Sequence, residues 1–215
     1  MGRYANTRFN NNLNEIIFDG VGPYDIPIIR PEQYEPINFI GFNYSKSISK
    51  QSIRQANGIH FFVDDYQFER IWGSWKKYGA FLSQFNAVCT PDFSLYTDWP
   101  KAVQIFNHYR KHFIGAYLQE LGVKVYPTIA WSDADSFEWC FDGEPKNATV
   151  VVSSIGTQNS ISKKSLFLNG YNEMLKRLQP KTILFYGNIP AECSGGNIIK
   201  IEPFISKFKR GDCNV

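Results

Sequence analysis

Ala87-Val88-Cys89-Thr90, then Pro91-Asp92-Phe93-Ser94-Leu95-Tyr96-Thr97-Asp98-Trp99-Pro100, then Lys101 to Leu121, and after Gly122 the run Val123-Lys124-Val125-Tyr126-Pro127-Thr128-Ile129-Ala130-Trp131: this stretch decides the fold. It reads as strand, charged loop, long helix, glycine stop and second strand. Two parallel strands cannot be joined by a tight turn and need a crossover of this length. In the helix, Val103, Phe106, Phe113, Tyr117 and Leu121 nearly share one stripe, the expected core face.

The same grammar extends in both directions. Upstream, Ile37 to Phe42 and Ile59-His60-Phe61-Phe62-Val63 read as strands. The second is almost continuously apolar, as in a sheet covered on both faces. Ser45 to Ala56 suits a short helix closed by Asn57-Gly58, and Tyr66 to Phe85 a longer one with Phe68, Ile71, Trp72 and Trp75 at helical spacing. Gly73 and Gly79 weaken that helix. Downstream, Ala148 to Ser154 is a β-branched strand, Ser165 to Leu178 an amphipathic helix ended by Pro180, and Thr182 to Gly187 and Ile198 to Ile201 two further strands. Strands thus begin near 37, 59, 87, 123, 148, 182 and 198. Several steps match a βα unit of about 30 residues.

The expected fold is therefore α/β: a single domain over 37–215 with a mainly parallel sheet of repeated βα units, either barrel-like or open and doubly wound. A full eight-stranded barrel usually takes about 250 residues, so a barrel here would be reduced. Residues 1–36 read as an extended N-terminal arm. Pro23, Pro27, Pro31 and Pro36 forbid a regular helix there, and Ile26, Ile28 and Ile29 are its expected anchors.

Composition excludes several classes. Hydrophobic residues make up 43% of the 215, enough for a real core rather than disorder. A net charge of +3 permits nucleic-acid contact without arguing for it. No apolar run approaches the roughly 18 residues of a membrane span, and Met1 to Asn14 lacks the apolar segment of a secretory signal. No membrane partner is expected, and the location expected is the cytoplasm. Cys89, Cys140, Cys193 and Cys213 are far apart, which excludes zinc-ribbon and Cys-x-x-Cys redox motifs and suits reduced thiols.

In both architectures ligands bind at the carboxyl ends of the strands. That rule selects Asp64 and Asp65, Asp92 and Ser94, Ser132 and Asp133, Ser153 and Ser154, and Tyr186, and Trp131, which flanks a loop, is kept as a residue that could stack a base. Asp92, Asp64 and Asp133 are the candidate catalytic residues and the others candidate ligand contacts. Converging carboxylates can hold Mg²⁺ or Mn²⁺, or act as general acid and base if their surroundings drive their pKa values apart. The competing reading is that such aspartates cap the following helices, as Asp98 and Asp135 are also placed to do. Ser153-Ser154-Ile155-Gly156-Thr157 could offer amides to a phosphate, but no Walker A or dinucleotide fingerprint accompanies it.

His108 and His112 share a helix face at four-residue spacing. The general-base Glu of a His-Glu-x-x-His site is missing between them, and Arg110 and Lys111 are cations. A metal role is therefore not assigned, and Lys101, His108, Arg110, Lys111 and His112 read as a solvated basic face.

Gly58-Ile59-His60-Phe61-Phe62-Val63-Asp64-Asp65-Tyr66-Gln67-Phe68-Glu69, Pro91 to Tyr96, Gln104 to Asn107, Tyr109-Arg110, Gly115-Ala116-Tyr117, Pro127 to Ser132, Cys140-Phe141-Asp142-Gly143 and Tyr186-Gly187 together resemble a domain-of-unknown-function family of phages, prophages and bacterial mobile elements. The resemblance runs from about Ile26 to Gly187 and implies a phage-like setting without a settled activity. Two functions remain open. One is an accessory protein whose polar pocket at the strand ends binds or processes a nucleotide or nucleic acid. The other is a non-catalytic protein that binds and diverts a host protein through exposed aromatics such as Tyr96, Trp99 and Trp139.

Overall fold

The computed structural model describes residues 16–201. A short antiparallel hairpin, β1 (Gly20–Val21) and β2 (Ile26–Pro27), comes first. Seven strands follow: β3 (Asn38–Gly41), β4 (Asn57–His60), β5 (Ala87–Cys89), β6 (Lys124–Tyr126), β7 (Thr149–Ser153), β8 (Thr182–Tyr186) and β9 (Asn197–Ile201). Every pairing among these seven is parallel and between strands consecutive in sequence. A parallel bridge between Thr128 and Val151 joins β6's extension to β7, so the two ladders form one run.

This order decides between the two architectures. A doubly wound sheet reverses its strand order at a switch point, and here there is none. Phe39, Ala87, Cys89, Tyr126, Val151, Leu184 and Ile201, from six of the seven strands, pack in one cluster. Phe62, just past β4, stacks on Tyr186 of β8 with ring centroids 4.6 Å apart. Side chains of strands that are not neighbours meet only if the sheet curls around them. The edge strands β3 and β9 line a common cavity of about 270 Å³, with Phe39, Leu184 and Ile201 among its walls. The fold is a reduced, incompletely closed βα barrel.

The period-two alternation of each strand builds two shells. Val88, Val125, Val150, Val152, Ile183 and Phe185 point outward to the helices, while Ala87, Cys89, Tyr126, Val151 and Leu184 point inward. The outer layer comprises α1 (Phe42–Ser45), α2 (Gln51–Gln55), α3 (Arg70–Gly73), α4 (Trp75–Leu82), α5 (Lys101–Glu120) and α6 (Ile161–Leu178). The single helix expected over 66–85 is two, broken at Ser74, whose backbone leaves the helical region at φ −139° and ψ 41°. Asn57-Gly58 does not close a helix but starts β4, because Asn57 pairs with Asn38 and Gly58 with Phe39. The α6 helix begins four residues earlier than the periodicity suggests, capped by Ser160 Oγ, which accepts from the Lys163 amide at 3.2 Å. Of the expected anchors in the arm, Ile26 and Ile29 are buried, while Ile28 faces solvent. The segment from Pro203 onward, with Cys213, lies outside the described residues. No helix among the described residues is long and apolar enough to cross a membrane.

The α5 helix departs most from its sequence reading. Val103, Phe106 and Leu121 of the expected core stripe are 40%, 46% and 42% exposed, whereas His108, Lys111 and His112 of the expected solvated face are buried. The reason is that the arm runs over this helix. The Arg30 amide donates to Gln119 Oε1 at 2.8 Å, Gln119 Nε2 donates to the Arg30 carbonyl at 3.0 Å, and the Ile29 amide donates to the Gly143 carbonyl at 2.9 Å. With the barrel on one side and the arm and the 139–144 loop on another, the polar face has no route to water.

Candidate functional site

The carboxyl end of the barrel brings β4 and β5 together around an aspartate pair. Asp65 accepts from the Ser94 amide at 3.0 Å and from Ser94 Oγ at 2.9 Å, which ties the loop after β4 to the loop after β5. Asn107 of α5 holds the same loop by donating to the Ser94 carbonyl at 2.7 Å. Asp92 sits inside this frame. Burial, and then the nearby charge of Asp65, push its carboxyl up to about 7, and Lys111 opposes them. A carboxyl in that range is divided between acid and base at neutral pH, the condition for general acid–base work.

Across the mouth of the barrel lie His60, Phe62 and Tyr186. The His60 ring centroid is 4.9 Å from that of Tyr186 and 5.5 Å from that of Phe62. The Phe62 amide donates to His60 Nδ1 at 3.2 Å, so that nitrogen carries a lone pair. Burial lowers the His60 pKa to about 4, and the ring is neutral at physiological pH.

Beneath Asp92, between the barrel and α5, is a buried charged cluster. Lys111 Nζ donates to the Thr128 carbonyl at 2.9 Å and to Glu144 Oε1 at 2.5 Å. His112 Nε2 lies 2.9 Å from the same Glu144 oxygen, and its Nδ1 lies 2.7 Å from the Pro27 carbonyl. His108 Nε2 lies 3.1 Å from the Asp142 carbonyl, and the two imidazole centroids are 4.4 Å apart. Lys111 and His112 together hold the Glu144 carboxyl below its ordinary value despite its burial. Gly143, at φ +74°, makes this approach of the chain: a Cβ there would stand 2.5 Å from the Pro27 carbonyl oxygen and 2.8 Å from His112 Nδ1.

Among known families, the model of the domain of unknown function DUF4417 matches residues 18–204. The chain belongs to the DUF4417 family. It is 36% identical over 193 residues to the Gene 1 protein of Mycobacterium phage D29, covering 90% of this chain and 71% of that one. It is 38% identical over 172 residues to the Gene 1 protein of Mycobacterium phage L5, covering 80% and 75%. No solved structure matches.

In this DUF4417 chain, the residues selected from strand ends divide into two groups. Asp65, Ser94 and Asp92 come together. Asp64 is exposed, and neither it nor Asp133 is among the charges acting on Asp92. Asp133 caps the 3-10 turn Ala134–Glu138, its Oδ1 accepting from the Ser136 amide at 3.2 Å. Ser132 is buried, and its amide donates to Ser136 Oγ at 3.0 Å. Trp131 lies on α6, where a Cβ on Gly170 would be 2.2 Å from its Nε1. Ser153 Oγ accepts from the Ile155 amide at 3.2 Å, and Ser154 Oγ donates to the Asn188 carbonyl at 2.6 Å, so both serve their own loop. Tyr186 is the aromatic partner of Phe62. Trp139, expected on the surface, is buried and packs on His108 with centroids 5.6 Å apart. The seam cavity between β3 and β9 has no carboxylate, histidine or cysteine in its walls, so it is not where the acidic and imidazole groups meet.

Proposed function

We propose that this phage-family protein binds and processes a nucleotide or nucleic-acid ligand at the carboxyl end of its barrel, with Asp92 as the proton-transferring group. The observation that carries the reading is the Asp92 carboxyl, raised to about 7 beside Asp65 in a loop frame that Ser94 and Asn107 hold rigid. Two carboxylates in one frame, one strongly hydrogen-bonded and one kept protonatable, is the pattern of acid–base assignment by environment. Asp65 orients the loop and Asp92 exchanges the proton. Tyr96 and Trp99, in the loop that leads from Asp92 into α5, are 57% and 37% exposed and 4.9 Å apart between ring centroids. Such faces stack on bases without sequence preference.

The test is a thermal-shift screen of the whole chain with Mg²⁺, Mn²⁺, nucleotides and short oligonucleotides, repeated with Asp92→Asn. A ligand that binds the folded state raises the melting temperature by mass action. A shift with a nucleotide or oligonucleotide in the native chain, together with loss of its turnover in the variant, supports the reading. No shift with any of them removes it in favour of a host-protein partner.

A further inference from the structure

We infer that His108, His112 and Glu144 form a binding site for a divalent transition-metal ion of the zinc class, separate from Asp92 and independent of what the barrel mouth binds. One donor atom from each of the three residues lies within 4.8 Å of the other two, and all three residues are buried. Zinc accepts this mixture of imidazole nitrogen and carboxylate oxygen, with two histidines and one glutamate as one of its known sets.

The hydrogen bonds around the cluster fix the lone pairs in the required direction. Pro27 and Asp142 each present a carbonyl, which can only accept, so His112 Nδ1 and His108 Nε2 must be the protonated nitrogens. With Nε2 protonated, the Nδ1 of a neutral His108 ring bears the lone pair, and no hydrogen-bond partner among the described residues meets it. His112 Nε2 lies 2.9 Å from Glu144 Oε1, a proton-bridged contact while the ring carries both protons and a donor position for an ion once Nε2 gives its proton up. His108 Nδ1, Glu144 Oε2 and Asp142 Oδ2 are buried and have no hydrogen-bond partner among the described residues. All three are electron-pair donors. Histidines whose second N–H is held by a backbone carbonyl are the usual outer arrangement of a metal site.

Lys111 is the group that opposes a metal ion, because its ammonium already bonds Glu144 Oε1. Glu144 has two oxygens, and the one left over is the unpartnered Oε2. Glu144 can therefore bridge, with Oε1 to Lys111 and Oε2 to the ion. Asp142, whose carboxyl interacts with His112, adds a second negative charge near the site to offset Lys111.

The experiment strips the full chain with a chelator, adds Zn²⁺ or Co²⁺, and reads metal content after dialysis and the visible spectrum of the Co²⁺ form. One equivalent retained, with the intense bands of tetrahedral cobalt, is expected. Glu144→Gln and His108→Gln should weaken Zn²⁺ binding by more than the 10- to 100-fold typical of groups that only orient a ligand. A native chain that retains no ion, or gives only the weak spectrum of hydrated Co²⁺, overturns the proposal whether or not the variants fold. Lys111→Met supplies a second arm. If Glu144 serves only as an ion-pair partner, Zn²⁺ leaves the melting temperature of this variant unchanged, which also overturns the proposal. If the site takes a metal, Zn²⁺ restores the stability lost with the ammonium.

Discussion

Replacing Asp92 by Asn should make the protein more stable, and only above acidic pH. The Asp92 carboxyl titrates near 7 in the folded chain against an ordinary value of 3.8. Between those values the folded state holds a proton that the unfolded state has released. The stability contributed by this group is therefore fully present below about pH 4, falls as pH rises, and is lost above about 7. The two pKa values lie about three pH units apart, which at about 1.36 kcal/mol each sets a ceiling of about 4 kcal/mol. Asp92 is half-buried, so water screens part of this, and about 1–3 kcal/mol is the expected penalty at pH 8. Asn cannot ionise and escapes it. Urea unfolding followed by tryptophan fluorescence, run on both proteins at pH 4.5 and pH 8, isolates the term, because every other titrating group is common to the two chains. The expected result is a gain of about 1–3 kcal/mol for Asp92→Asn at pH 8, equivalent to roughly 2–10 °C in melting temperature for a chain of this size, and little difference at pH 4.5. A variant destabilised by the same amount at both pH values would refute the assignment of a raised carboxyl. A gain in stability that accompanies loss of ligand turnover is the trade expected of a functional group held in an unfavourable setting.

Three further outcomes follow from the packing. Lys111→Met in chelator-treated protein should lose about 3–5 kcal/mol in urea denaturation, because Glu144 is left buried and uncompensated, and Lys111→Met with Glu144→Leu should recover much of that loss. Gly170→Ala should destabilise by about 1–3 kcal/mol despite the better helix propensity of alanine, since its Cβ would meet Trp131 Nε1 at 2.2 Å; a stabilised variant in thermal denaturation would mean Trp131 moves freely. Cys89 and Cys140 should resist a thiol-labelling reagent in the native chain and react in urea, because both are buried and burial raises both thiols, Cys140 to about 12; rapid native labelling of either by mass spectrometry would contradict their place in the core.

The local periodicities placed the elements. Strands expected near 37, 59, 87, 123, 148, 182 and 198 begin at Asn38, Asn57, Ala87, Lys124, Thr149, Thr182 and Asn197. This worked because buried parallel strands are short apolar runs, and α6 has its own cap and C-terminal turn. Family membership was legible for a similar reason: motifs such as Pro91-Asp92-Phe93-Ser94 are contiguous. The choice of barrel over open sheet was not legible, because strand order is a matter of pairing, and the Thr128–Val151 bridge and the Phe62–Tyr186 stack connect residues distant in the chain. The fate of each aspartate was equally hidden. Asp92 and Asp133 both follow a strand, yet one meets Asp65 in a buried frame and the other a free amide of a 3-10 turn. The histidine cluster was the largest omission. A helix of 20 residues carrying His108, Lys111 and His112 reads as solvated by pattern alone, and its partner Glu144 is 32 residues past His112. What buries that face is the arm at Pro27 to Arg30, 85 residues before His112. Sequence by itself determined which segments are strand or helix, since that depends on neighbours along the chain. The tertiary structure decided which charges share a buried space, because the electrostatic cost of burial depends on neighbours through space.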